Sequence, residues 1–471
     1  MTPLNIDFKI TEEGVTLSRG NTTLHFKSSH EIDPAKVAEQ LDVEPVEVLK
    51  VKLKIGREEA TQPITLERLN EILGTTVKRD DANKLLVFLC MLSACTEDSQ
   101  FNISFRAPSS TGKSYIPLEV ASYFPSEDLI LLGYSSPTAF FHDQGEWDAE
   151  ANVLVINLDR KILIFLDQPH DQLLQRLRPL LSHDRKELVV KITDKSEKRG
   201  LRTKTVILRG FPSVIFCTGS LKIDEQEQTR HIILSPEMSQ EKLRESLYLK
   251  GMRRGNPKAF QDYLKQHPER EVLRRRVVEI KNAKIKSIII RNYEGLVKRF
   301  EEKYPKIKPR HTRDIERLIS IIQALALLNL WHRERDEEGN VYVNSEDVEI
   351  GFSLYDEIAE AQDLGIPPFL YQLYHEVIQP TFIEKNKQIF ERMGSEKRCE
   401  YEFIGLRRDE ILKQYFEIYN RPLPAWQLKQ EILPALENAG LIYQERDQND
   451  KRRTLVFCTT PPSHSTYLAK R

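Results

Sequence analysis

Gly112, Lys113 and Ser114 stand together in the stretch FRAPSSTGKSYIPL, Phe105 to Leu118, and the triplet has the chemistry of a phosphate clamp. Glycine supplies backbone freedom, the lysine can reach the β and γ oxygens of a nucleoside triphosphate, and the hydroxyl can ligate Mg²⁺. Such loops work because backbone N–H groups, at a turn leading into a helix, point at the phosphates. The full pattern G-x-x-x-x-G-K-[S/T] asks for glycine at its first position, where this chain has Ala107. The candidate ATP-binding loop Ala107, Pro108, Ser109, Ser110, Thr111, Gly112, Lys113, Ser114 therefore works only if Ala107 keeps a negative φ. A second stretch, KILIFLDQ from Lys161 to Gln168, is an apolar strand ending in an acid. Asp167 at that end is placed to hold Mg²⁺ through water. Gln168 stands where a carboxylate is expected to activate the attacking water, and a neutral amide orients water without accepting its proton. Three explanations stay open: another carboxylate such as Asp171 serves, turnover is slow, or the glutamine replaces a glutamate and traps the ATP-bound state.

The elements around these residues read as a parallel sheet. The strand NISF precedes the loop, and KSYIPLEVASYF follows it as a helix. Short apolar runs, LILLGY, NVLVINL, KILIFLD, PSVIFCTG and RHIILSP, recur with helices between them. Continuous apolar strands alternating with helices signal a parallel sheet covered on both faces. Before this region, residues 1–75 read as a small α+β module. A hairpin turns at Ser18–Asn21 on Gly20, a helix covers Pro34–Gln40, and VLKVKLKI alternates as a strand. The apolar run DANKLLVFLCMLSACT reads as a long helix. After about Glu241 the strands stop, and helices such as TRDIERLISIIQALALLNLW fill the chain to about residue 400. The last seventy or so residues run as a helix, PAWQLKQEILPALENAGLI, and then as a hairpin with a polar, basic tip, YQERDQNDKRRTLVFCTT. That order is the pattern of a winged helix.

Composition sets the frame. The chain has 471 residues, 30% charged and 40% hydrophobic, with a net charge of -1; that length favours several domains over one. Between Arg270 and Arg310 stand 14 Lys/Arg against 5 Glu, either a solvated helical face or part of a polyanion-binding surface. The five cysteines are scattered without metal-binding spacing, so neither disulfides nor a structural metal are expected. The start MTPLNIDFKI lacks a signal-like pattern and no window approaches a membrane span. The expectation is a cytoplasmic protein with no membrane partner. His142 and His183 have no partner in the sequence and read as structural or surface residues.

With this order of motifs, residues 80–370 resemble the AAA+ ATPase module, and within it the minichromosome-maintenance (MCM) helicases and their mobile-element relatives. Ala107–Ser114 match the Walker A loop, which is often glycine-poor at its start in MCM proteins, and KILIFLDQ matches Walker B. The resemblance implies ATP and Mg²⁺ as cofactors, with Ser114 and Asp167 as metal ligands. It places GFPSVIFCTGS between the two Walker strands, where Thr218 or Ser220 would meet the γ-phosphate and water. LILLGYSSPTAFFHD with EANVLVINLDR looks like the segment carrying the helix-2 insert, and TDKSEKRGLRTKTVILRGFPSVIF like a pre-sensor-1 hairpin. QTRHIILSP sits at the arginine-finger position and makes Arg230 the candidate; TRDIERLISIIQALALL resembles the lid helix that starts with a sensor-2 arginine and points to Arg313. VNSEDVEIGFSLYDEI resembles the next lid helix. The chain departs from the family at Gln168, in having no asparagine at sensor 1, and in an N-terminal region without zinc ligands. An arginine finger acts in trans, so the resemblance implies a homo-oligomer, a hexamer in this family.

The implied fold class is α/β: a P-loop ATPase core of parallel sheet flanked by helices, a helical lid, a small N-terminal α+β domain and a C-terminal winged helix. The expected boundaries are 1–75, 76–250 for the core, 251–370 for the lid, 371–400 for a linker helix and 401–471. DNA would meet Lys191, Lys195, Lys198, Arg199, Arg202 and Lys204 around a turn at Arg199-Gly200, by phosphate contacts that read no base sequence. The alternative for that segment is a solvated hairpin whose lysines prevent edge pairing. Gln427, Lys429 and Gln430 on the last helix, with Lys451, Arg452 and Arg453 at the hairpin tip, form a second candidate surface for single- or double-stranded DNA. The function expected is an ATPase coupled to DNA unwinding or translocation in the replication of a chromosome or mobile element. Two alternatives compete with it: a slowly hydrolysing DNA-binding switch, as in origin recognition, loading or transposition control, and a remodeller of protein complexes.

Overall fold

A computed structural model describes residues 6–11, 14–133, 145–167, 171–194, 202–221, 230–392, 403–448 and 450–459. Chain contacts divide the molecule into two compact units. The first comprises Met1–Ile103, Ser114–Cys217 and Ser239–Tyr355, the second Ser104–Lys113, Thr218–Met238 and Asp356–Arg471.

The first unit opens with an antiparallel meander, β1 (Asp7–Thr11), β2 (Gly14–Arg19) and β3 (Thr22–Phe26). The expected turn is present, with Gly20 at φ 59°, a conformation that costs glycine nothing. α1 (Pro34–Leu41) starts where Asp33 Oδ1 accepts the Ala35 and Lys36 N–H groups. VLKVKLKI, expected as a strand, instead lies inside α2 (Pro45–Thr61). Pro45 is set for a first helical turn, and Val48, Val51 and Ile55, spaced for one helix face, are fully buried against Val15, Leu17, Ile32 and Val37. The alternation that suggested a strand came from leucines on the other face: Leu49 and Leu53 are exposed.

After α3 (Leu66–Gly74) comes α4 (Asp81–Ser93), buried without a break from Lys84 to Ser93. In that setting Lys84 donates to Asp81 Oδ1 at 2.7 Å and to the Arg79 carbonyl at 3.0 Å. The expected helix and the expected parallel sheet are both found. Taken over the chain as a whole, that sheet has five parallel strands in the order β12-β4-β11-β8-β5, with helices flanking it. They are β4 (Ile103–Arg106), β5 (Leu129–Leu132), β8 (Ile162–Phe165), β11 (Ser213–Thr218) and β12 (Ile232–Leu234). β4, β8, β11 and β12 are buried at every residue, as strands covered on both faces must be. Register is set by Phe216 beside Phe165 and Leu132 beside Phe165.

NVLVINL does not join that sheet. As β7 (Val153–Asn157) it belongs to a four-stranded sheet, β6-β7-β10-β9, with β6 (Glu146–Asp148), β9 (Glu187–Asp194) and β10 (Arg202–Arg209). β10 runs parallel to β7 and antiparallel to β9. α6 (Asp171–Leu181) packs Leu173, Leu177 and Leu180 on its inner face, with Leu154, Ile156, Val206 and Leu208. Later in this unit the helices are interrupted once more by strand, Ile288–Ile289 beside Val341–Tyr342, so strands do not end at Glu241.

The second unit packs helices Pro368–Leu373, Gln379–Arg392 and Arg408–Tyr419 around Phe382, Tyr415 and Leu433. Tyr419 donates to Glu376 at 2.6 Å. The last helical run, 425–438, widens at Leu428–Ile432 into a π turn just before Pro434, which has no N–H to continue the regular ladder. Gly440 (φ 74°) ends it, and a hairpin of Ile442–Arg446 and Thr454–Cys458 follows, with Tyr443 stacked on Phe457 at 5.0 Å. Helices leading to a two-stranded hairpin are thus present. Among the described residues no helix is long and apolar enough to cross a membrane.

His183, after α6, sets its ring edge-on to Phe211, centroids 4.8 Å apart. Its Nε2 is buried with no hydrogen-bond partner among the described residues. Burial holds its pKa below the ordinary 6.5, against the pull of Asp184 and Asp98. The unfolded ring titrates near about 6.5, so the neutral ring's contribution is complete above that value and is lost as pH falls below it. The thermal midpoint should drop between pH 7 and 5, and His183→Phe should flatten that drop; the same slope in the variant would exclude this histidine as its source.

Candidate nucleotide site

The buried strand β4 delivers the chain into the loop, and the loop's backbone resolves the question raised by Ala107. Ala107 is fully buried and is absent from the residues with positive φ; its N–H donates to the Thr218 carbonyl at 3.4 Å. The left-handed positions lie further on, at Ser110 (φ 65°) and Gly112 (φ 99°). Thr111 is buried and donates to the Pro108 carbonyl at 2.9 Å, closing the turn from inside. Ser109 and Ser110 face solvent, and a β-carbon on Gly112 would meet nothing within 4 Å. The loop therefore has an open outer side.

Lys113 closes the loop. Its Nζ lies 3.9 Å from where a β-carbon on Gly219 would sit, so the lysine reaches the residue just past the end of β11. Thr218, buried at that end, accepts the Ser220 N–H on Oγ1 at 3.1 Å. Its hydroxyl oxygen thus shapes the turn, and Ser220 is the more accessible of the two. Ser114 precedes the short helix α5 (Tyr115–Ala121), its carbonyl accepting the Leu118 N–H at 3.3 Å.

Sequence reasoning missed Arg106. Its guanidinium is buried, donating to Ser104 Oγ at 3.2 Å and to the Ser220 carbonyl at 3.3 Å. Ser235 Oγ donates to the Arg106 carbonyl at 2.7 Å and accepts the Phe369 N–H at 3.0 Å. The signal was an arginine closing an otherwise apolar strand, NISFR. A buried, hydrogen-bonded guanidinium is a rigid brace and is costly to leave unpaired.

Asp167 is exposed, two residues beyond the end of β8, where the Leu166 N–H still pairs with Leu132 at 2.8 Å. Gln168 lies outside the described residues, as does His142, and nothing is described of the Asp171 side chain. Arg230 is half-buried two residues before β12, and Arg313 is half-buried in the first turn of helix His311–Leu328. In that turn Arg310 and Arg317 both pair with the buried Asp314, at 2.9 and 2.8 Å. Burial pulls the Arg317 pKa down and Asp314 opposes it. Among the described residues no three His, Cys, Asp or Glu cluster as metal ligands. A Mg²⁺ ion held mainly by phosphate, one hydroxyl and one carboxylate needs no such cluster.

The basic segment is a hairpin: β9 pairs with β10 through Asp194 opposite Arg202, and Lys204 lies opposite Ile192. Lys195, Lys198 and Arg199 fall outside the described residues. At the last hairpin Lys451 and Arg452 are exposed, whereas Arg453 is tied to Asp450 at 3.1 Å. Lys429 and Gln430 are exposed, and Gln427 is turned to Glu431 at 3.2 Å. The chain matches no protein-family model and no curated protein.

A left-handed residue other than glycine costs about 1–2 kcal/mol. Gly112→Ala should accordingly weaken triphosphate binding by about 5- to 30-fold, while Ser110→Gly, which relieves the same cost, should bind at least as well as the unaltered chain. Titration with a fluorescent ATP analogue reads both.

Proposed function

We propose that the chain is an ATP-driven DNA helicase or translocase of the AAA+ class, MCM-like in plan, which works as a homohexamer in replication of a chromosome or mobile element. The observation that carries the reading is the strand order. In a parallel sheet, β11 lies between β4, which feeds the Gly-Lys-Ser loop, and β8, which leads to Asp167, and the residue after β11 is the neighbour of Lys113.

In this reading Lys113 and Ser114 hold the triphosphate and its Mg²⁺, Asp167 holds the ion through water, and Thr218 and Ser220 border the γ end. Arg106 keeps the loop and the end of β11 in fixed relation. Arg230 and Arg313 serve the nucleotide of a neighbouring subunit, where a guanidinium offsets charge on the γ oxygens. Bound ATP with Mg²⁺ supplies the reactive phosphoanhydride and offsets its charge. The β9–β10 hairpin carries cations to a nucleic-acid backbone, and the C-terminal helices and hairpin act as a winged helix with Lys451 and Arg452 toward phosphate.

ATP turnover with and without single-stranded DNA tests the reading. The unaltered chain should hydrolyse ATP faster with DNA, and Lys113→Ala should lose nucleotide binding or turnover; undiminished turnover in that variant would remove the site. A DNA-binding ATPase switch is the second reading, favoured by Gln168 beside Asp167. Gln168→Glu separates the two: a faster variant with strand separation of a forked duplex marks a motor under a brake, while ATP binding without hydrolysis in both proteins marks the switch.

A further inference from the structure

The four-stranded sheet β6-β7-β10-β9 presents a feature that the nucleotide chemistry does not use. Trp147, in the three-residue edge strand β6, is 52% exposed. Lys204 on β10 holds its ammonium 5.3 Å from the centre of the Trp147 ring. Register explains how residues two strands apart meet. Trp147 lies opposite Leu154, Leu154 lies beside Val206, and Lys204 is two residues before Val206 on the same side of β10. Leu154, Val206 and Ile192, the residue opposite Lys204, are buried. The indole and the ammonium thus sit where the packed face of the sheet ends and solvent begins.

An indole is usually exposed at a cost, because its large apolar surface is among the most favourable to bury. The cation over the ring steadies it without covering it. The pair offers two chemistries side by side: a flat π-face and a positive charge. That combination matches a strand with unpaired bases, whose bases stack on aromatic rings while the phosphates seek cations. Duplex bases are already stacked on one another and offer no free face.

The geometry points to Trp147 as a base-stacking residue for single-stranded nucleic acid, with Lys204 as its phosphate partner. This rests on the nucleic-acid reading above and narrows it, from any polyanion to an unpaired strand with its bases in place.

The test uses the full chain with three probes of equal length: oligo(dT), an abasic deoxyribose-phosphate strand, and a duplex. Trp147→Ala should weaken oligo(dT) binding by about 5- to 100-fold, the range of one base–aromatic stack, and leave binding of the abasic strand unchanged. Its salt slope should stay that of the unaltered chain, because stacking releases no counterions, whereas Lys204→Ala should lower the slope by about one. Trp147→Phe should recover most of the affinity while losing the quenching of tryptophan fluorescence by oligo(dT). If the unaltered chain binds oligo(dT) and Trp147→Ala binds it equally well, the stacking role is overturned and the motor reading stands. Equal loss for oligo(dT) and the abasic strand also overturns it, since the residue then only supports the sheet. If the unaltered chain binds neither strand at low salt, both readings fall.

Discussion

The first unit depends on one buried amide. Asn102 is 3% exposed; its Nδ2 donates to the Leu181 carbonyl at 2.9 Å and its Oδ1 accepts the Val214 N–H at 3.1 Å. It ties the end of α6 and the start of β11 to the residue just before β4. Leaving either partner unpaired in such a place costs about 1–3 kcal/mol. Ser93 and Ser213 add a second buried hydroxyl contact at 3.0 Å, and the Ser213 N–H pairs with the Lys161 carbonyl at 3.1 Å. β11 is thereby pinned at its first residues. Since a slip of one residue would turn every side chain to the other face, these contacts fix what emerges at the far end of the strand, where Thr218, Gly219 and Ser220 stand.

How legible this was in the sequence depended on range. Strands buried on both faces reveal themselves as apolar runs, so β4, β8, β11 and β12 could be read directly, and the half-buried β5 was marked by its apolar run LILLGY. The helix over DANKLLVFLCMLS and the turn at Gly20 were equally plain. Two readings failed where local pattern was ambiguous. VLKVKLKI alternates like a strand, yet it is helical because Val48, Val51 and Ile55 find a core while Leu49 and Leu53 do not. NVLVINL is apolar enough for the main sheet, but its partners are Glu146–Asp148 on one side and Val206–Arg209 on the other, a pairing that only tertiary structure decides.

At the candidate nucleotide site the residue types were legible and their supports were not. Gly112, Lys113 and Ser114 announce themselves by spacing. Nothing in the spacing announces that the buried Arg106 ties Ser104 to the Ser220 carbonyl, that Gly219 is the neighbour of Lys113, or that the Thr218 oxygen is engaged by the Ser220 N–H. At the C-terminal hairpin the three consecutive cations looked equivalent; Asp450, close by in the turn, engages Arg453 and distinguishes it from Lys451 and Arg452.

Ser110 carries a consequence for how related chains would be sought. A left-handed bend of the candidate loop falls on the fourth residue of the motif, two places before the one at Gly112, and the first residue is a buried alanine hydrogen-bonded to β11. A search template that insists on glycine at the first place would pass over every chain built this way. One that accepts alanine there, and a small polar residue or glycine three places on, would retrieve them. The informative letter in this loop is thus a serine of unremarkable appearance, and its tolerated replacements are those that favour a left-handed backbone: glycine, asparagine and aspartate.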